Sequence, residues 1–169
     1  ASVERGASGI SPVSLSSVWD WECHDKDGNL KWTDKTHNTV QREGLVNMLN
    51  IMFHKQAAST AWHLLLFESD TSMTAGTATY GTRGYTECQA YDEGTRGLYS
   101  EAASTTAGTC SLTNAANKAT FTINDTKTIY GGALVGGTSG TANMAVKNDS
   151  TSVGAILFCA SKFAIAKSV

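Results

Sequence analysis

The stretch 117–137, "NKATFTINDTKTIYGGALVGG", constrains the fold more than any other. Ala119, Phe121 and Ile123 alternate with Thr120, Thr122 and Asn124. A period of two places one set on each face of a strand. Asn124, Asp125 and Thr126 break the run. Ile129, Gly131, Ala133 and Val135 then fall on one face again. The pattern predicts an antiparallel hairpin over 117–135. A second hairpin is predicted in "SVWDWECHDKDGNLKWTD". There Trp19, Trp21 and Cys23 share one face and Asp20 and Glu22 the other, with a turn at "KDGN" before Leu30 and Trp32 resume the alternation.

Further strands follow from composition and length. "AWHLLLFES" (61–69) is apolar on both faces: Trp62, Leu64 and Leu66 point one way, Leu65 and Phe67 the other. It reads as a central strand. "GYTECQAYDEGTRGLYSEAAS" gives two short strands split by "DEGT", and "VGAILFCASKFAIAKSV" gives a last buried strand. Residues 70–84 and 136–152 are rich in Gly, Ser and Thr and read as long exposed loops.

One segment changes period. In "NTVQREGLVNMLNIMFHKQ", Leu45, Met48, Leu49, Met52 and Phe53 step by three and four. This predicts an amphipathic helix over about 40–55, capped by Asn38 or Thr39, with its apolar stripe covered by the sheet. About eight strands and one helix with closely spaced turns predict a mainly β chain. The expected fold is an antiparallel β-sandwich or jelly-roll-like domain. With 169 residues, the expectation is one such domain over 15–169, preceded by an extended N-terminal arm over 1–14 that contains the only proline, Pro12.

Charged residues are 17% of the chain and the formal net charge is −2, with no basic cluster. Nucleic acid is not expected as a partner. No apolar run approaches the roughly 20 residues of a membrane helix, so no membrane association is expected either. The start, "ASVERGASGISPVS", lacks the charged opening and apolar segment of a signal peptide and reads as a cytosolic start or a trimmed mature end. Cys23, Cys88, Cys110 and Cys159 are widely spaced, with no CxxC. Buried reduced thiols are expected for those in strand-like runs, with a disulfide framework as the other reading.

The search for chemistry returns little. "DKDGN" (Asp25–Asn29) resembles the start of a calcium loop, but position 36, where a bidentate Glu belongs, is Thr; a hairpin turn is expected instead. His24, His37, His54 and His63 show no metal-binding spacing. Among Glu68, Asp70, Glu87, Asp92, Glu93 and Glu101, no spacing singles out a pair for glycoside chemistry. There is no G-x-S-x-G. Gly131, Gly132, Gly136 and Gly137 lack a phosphate-loop pattern and read as a bulge or close strand packing. Trp19, Trp21, Trp32 and Trp62 offer either a sugar platform or core. No catalytic residue, no metal and no cofactor is expected, and the chain reads as a non-enzymatic interaction or structural module.

In their order and spacing, "WDWECHDKDGNLKWTDKTHNTVQREGLVNMLN", "AWHLLLFES", "GYTECQAYDEGTRGLYSEAAS", "NKATFTINDTKTIYGGALVGG" and "ILFCASKFA" resemble a group of small virion proteins of tailed bacteriophages. The resemblance runs from about Val18 to Val169. It implies a structural protein of the virus particle, a capsid decoration or cement protein on the outside of the head shell. The resemblance further implies assembly in the host cytoplasm and a place on the virion surface. Implied partners are the major capsid protein and further copies of the chain, as a dimer or trimer. The alternative is a tail or fibre-associated module, with glycan binding through the loops 70–84 and 136–152. The arm, through Ser2, Val3, Ile10, Pro12 and Val13, is the expected capsid or subunit contact by strand addition. The group carries a further turn and strand after the region matching "FAIAKSV", so either a sheet edge is expected to be open there, for a neighbouring subunit to pair with, or the chain is shorter than the gene product.

Overall fold

The computed structural model describes residues 15–71, 78–104, 110–137, 144–148 and 153–169. The expected arm, with Ser2, Val3, Ile10, Pro12 and Val13, lies outside them. The chain is mainly β, with antiparallel sheets and one helix. β1 (Val18–His24) and β2 (Leu30–His37) form a two-stranded sheet. β3 (Thr39–Val40), β4 (Trp62–Phe67), β5 (Gly97–Tyr99), β6 (Thr128–Gly137) and β7 (Ala155–Ser168) form a second, in the order β3-β7-β6-β4-β5. Helix α1 (Arg42–Phe53) follows β3.

The five-stranded sheet is apolar on both faces because β4 and β6 are. Leu65, Phe67, Ala133, Val135, Leu157 and Ala160 build one core cluster. Leu66, Ile129, Phe163 and Cys88 build the other, and the β1–β2 hairpin covers it with Trp21 and Trp32. The two rings meet Phe163 edge-on, with centroids at 5.1 and 5.9 Å. This gives the sandwich-like layering. β4 lies inside the sheet as its two-faced pattern predicts.

Three glycines allow the layers to approach. A Cβ on Gly132 would sit 2.6 Å from the Trp21 ring, and one on Gly136 would sit 2.5 Å from Trp62. At Gly131 it would overlap the Ser161 carbonyl and the Phe67 ring. The β6–β7 register also shifts between Ile129 and Gly131. Both sequence readings of this glycine run, bulge and close packing, hold.

Several expectations are corrected. Residues 119–123 alternate in burial as predicted, yet they do not pair with β6 as a hairpin. Their backbone meets the strip around Tyr91 instead, through the Tyr91–Ile123 bridge and bonds between Asp92 and Thr122 and between Asn124 and Ala90. The stretch 70–84 is not wholly exposed: Ala78, Tyr80 and Arg83 are buried. Met144, within the second expected loop, is buried too. β3 and β5 end the larger sheet, but β3 pairs with β7 only at Cys159 and Ala160, so no described strand pairs with residues 161–168 of β7 on that side.

The helix exists but faces the other way. Its buried positions are Gly44 and Asn47, whereas Leu45, Leu49, Met52 and Phe53 of the expected stripe are exposed and Met48 is half-buried. The cause is Gly44: a Cβ there would lie 2.6 Å from the Phe158 carbonyl, so the glycine lets the helix backbone press against β7. Neither Asn38 nor Thr39 caps it. Gln41 occupies the N-cap without a side-chain cap. Asn38 instead donates to Cys159 Sγ at 2.8 Å.

Candidate functional site

The residues with chemical potential are mostly committed to holding the fold. Asp25 Oδ1 accepts from the backbone N–H of Asp27 at 2.9 Å and of Asn29 at 2.8 Å. The hydrogen bond from the Asn29 side chain is the main cause that holds its carboxyl below the usual range. Gly28 closes the turn at φ +84, a left-handed conformation that glycine adopts without strain. The five residues form a hairpin turn, with the carboxylate bound to its own backbone.

The six acids scatter. Glu68 pairs with Lys127 at 3.3 Å and Asp70 with Lys162. Asp92 accepts from Asn124 at 2.8 Å. Glu93 accepts from the Thr122 N–H and hydroxyl; burial pushes its pKa up, and these bonds outweigh it and lower it. Glu87 is buried against Arg96, and Glu101 is exposed. His24, His37 and His54 are exposed and His63 is buried. No group of three His, Cys, Asp or Glu side chains fit to hold a metal occurs among the described residues. None of the described helices is long and apolar enough to cross a membrane.

The tryptophans are packing residues. Trp21 and Trp32 lie on Phe163, and Trp62 meets Phe158 at 5.3 Å while covering Gly136. Trp19 tilts against Trp21 at 5.5 Å. The Trp21 indole N–H is spent on Thr36 Oγ1 at 2.9 Å. The four rings do not form one open platform. All four cysteines are free; Cys88 and Cys159 are buried, Cys23 is half-buried and Cys110 exposed.

Two features escaped sequence reasoning. The first is a buried polar cluster in which Arg96 engages Glu87 with two nitrogens, donates to Tyr80 Oη at 3.1 Å and to the Met144 carbonyl at 3.1 Å. Arg83 stacks 4.9 Å from the Tyr80 ring and 5.3 Å from that of Tyr85. Burial alone would lower the Arg96 pKa. The hydrogen bonds and charge of Glu87 outweigh it, and the net shift is upward. Because Arg96 and Glu87 are both sealed from solvent, the cluster joins loops rather than meeting a ligand. The scattered Tyr, Arg and Glu of 80–96 were its only trace in the sequence.

The second feature is surface. β5 is an edge strand of three residues with Leu98 exposed. Beside it runs an open groove of about 480 Å³, lined among others by Glu93, Leu98, Ser100, Asn117, Lys118 and Thr120. Lys118 is tied back to Glu22 of β1 at 3.0 Å. An unpaired strand edge beside a groove is geometry for accepting an extended segment.

Compared with known proteins, the chain matches no family model, no curated protein and no solved structure.

Proposed function

We propose that this chain is a non-enzymatic structural protein of a virus particle, a decoration or cement protein on the outside of the head shell. The observation that carries the reading is the free edge of β5 with the groove beside it. The ordered segments that resemble tailed-phage virion proteins give the setting. The occupant of the edge is an extended segment of a neighbouring subunit, another copy or the major capsid protein. Main-chain pairing supplies the affinity and the groove supplies the selection. An arm over 1–14, with Val3, Ile10, Pro12 and Val13 as its apolar contacts, spans roughly 45 Å when extended, enough to reach an adjacent subunit.

A shell held by many such contacts is stabilised by mass action, because each copy binds the assembled state alone. The test is co-sedimentation of the protein with phage heads that lack it, quantified against capsid protein. Saturable binding at a copy number comparable to the capsid subunit is expected, with much weaker binding for a chain trimmed to 15–169. Failure to bind heads, or occupancy by a few copies, overturns the head assignment and moves the chain to the tail.

A further inference from the structure

A helix packed on a sheet ordinarily turns its apolar stripe inward. α1 does the opposite. Its exposed positions are Arg42, Leu45, Val46, Leu49, Met52 and Phe53. The five apolar ones are exposed to 37%, 49%, 52%, 63% and 76%. Together they present roughly 500 Å² of apolar surface, in the upper range of the largest patch on a typical monomer. The helix has no acid on this side, since Glu43 is turned toward the fold and accepts from the N–H of Tyr80 at 2.8 Å and of Leu157 at 2.7 Å.

We propose that the outward face of α1 is a homodimer interface, in which two copies of the helix pack antiparallel about a two-fold axis at Leu49. Three observations select this occupant. The first is area: two such faces pressed together bury about 1,000 Å² in total, the lower bound of a specific interface. The second is the arrangement of sizes about Leu49. Leu45 and Phe53 lie four residues to either side, and Val46 and Met52 three. An antiparallel copy therefore sets Phe53 against Leu45 and Met52 against Val46, large beside small, with Leu49 against itself at the axis. A two-fold interface requires this kind of self-complementarity.

The third is charge. Arg42 is the one cation on the face and sits at the N-terminal end, where the helix dipole disfavours it. The last turn itself carries no basic residue, although exposed His54 and Lys55 follow it directly. Antiparallel packing brings Arg42 to the C-terminal carbonyls of the partner helix, where a cation is favoured. Parallel packing would set the two Arg42 side chains side by side. A membrane-surface helix would carry Lys and Arg along the flanks of the apolar face, and α1 does not.

This inference does not rest on the particle assignment. Its test is analytical ultracentrifugation of the full chain, with Leu49→Glu as the variant. Leu49 is exposed, so the variant keeps its fold, verified by an unchanged circular dichroism spectrum. The wild type is expected to sediment as a dimer. Leu49→Glu places two like charges at the axis and weakens association about 100-fold or more. Direction is read by mild oxidation of variants with one introduced cysteine in a Cys23→Ser, Cys110→Ser background, where the remaining Cys88 and Cys159 are buried. Leu49→Cys is expected to give a covalent dimer, and Arg42→Cys none. A monomeric wild type, or a dimer that survives Leu49→Glu, overturns the proposal. Cross-linking through Arg42→Cys overturns its antiparallel geometry. A monomer that loses head binding on Leu49→Glu assigns the face to another protein and equally sinks the dimer.

Discussion

Arg96 and Glu87 face each other as a two-pronged pair, with Nε to Oε1 at 2.7 Å and Nη2 to Oε2 at 2.6 Å, neither side chain exposed to solvent. The pair is surrounded by further partners: Asn148 N–H donates to Glu87 Oε2 at 3.0 Å, and the Arg96 N–H donates to the Ala145 carbonyl at 2.8 Å. Segments 78–85, 87–96 and 144–148, which carry little regular structure of their own, are thereby tied to one point. Arg96→Met leaves the buried Glu87 carboxylate with only the longer Arg83 contact, at 4.0 Å, and the Asn148 N–H. It is expected to cost about 3–5 kcal/mol, while replacing both residues by apolar ones recovers much of that. Urea unfolding of the single and double variants checks this. A single-variant loss under about 1 kcal/mol would mean that the pair is more hydrated than its burial indicates.

The glycine contacts give a sharper comparison. Gly131→Ala drives a methyl group into the Ser161 carbonyl and the Phe67 ring, and at Gly136 the obstacle is Trp62. Both substitutions overpack a tight core and are expected to destabilise by about 1–3 kcal/mol. Gly81 and Gly94 have open space around the Cβ position. Alanine there is expected to change stability by no more than about 0.5 kcal/mol. Thermal melts of the four variants should separate into two pairs, and equal shifts in all four would disprove the close approach between layers.

What the sequence revealed and what it hid divide along physical lines. β4 and the β1–β2 hairpin were legible because a period of two and a turn rich in Asp and Gly are local signals. The strand character of 119–123 was legible too. Its partner was not, because pairing with the strip around Tyr91 is decided by packing at long range. Four of the five positions read as the α1 stripe, Leu45, Leu49, Met52 and Phe53, lie on the outward face rather than against the sheet, with Met48 half-buried and Val46 added. Periodicity shows that a helix has two faces. Which one packs was decided by Gly44, where the helix backbone closes on Phe158, and Asn47 is buried on the same side. Tyr80 and Met144 are single large residues in polar surroundings, and no window average registers them. Of the candidate sites, the turn at Asp25 was read correctly. The β5 edge was invisible because an edge belongs to the sheet order and not to any one segment.

Stability should depend on pH through His63. Burial on β4 lowers its pKa from 6.5, and the charge of Arg96 lowers it further. The folded chain therefore holds a neutral imidazole where the unfolded chain takes up a proton. Stability present above pH 6.5 is lost as pH falls from there toward the folded-state value, because the unfolded state binds more protons in that window. Urea midpoints measured between about pH 7.5 and pH 5 should fall more steeply for the wild type than for His63→Gln, after the common loss from carboxylate protonation is subtracted. Parallel curves would show that His63 titrates normally in the fold.

The cysteines should react in an order set by burial. The thiolate is the reactive form, so a raised pKa and poor access act together. Burial pushes the Cys159 thiol up, against the opposing hydrogen bond from Asn38. Burial likewise raises Cys88, which is fully enclosed. Cys110 is exposed and Cys23 half-buried. A disulfide-exchange reagent at neutral pH is expected to label Cys110 fastest and Cys23 more slowly, leaving Cys88 and Cys159 unmodified until the chain unfolds. Labelling of these two should therefore accelerate in Arg96→Met by the same factor as its unfolding equilibrium, provided reclosing outpaces reaction. If Cys159 reacts in the native wild type at the rate of Cys110, β7 opens locally at its contact with β3, and the two-residue pairing of Thr39 and Val40 with Ala160 and Cys159 does not hold that edge closed.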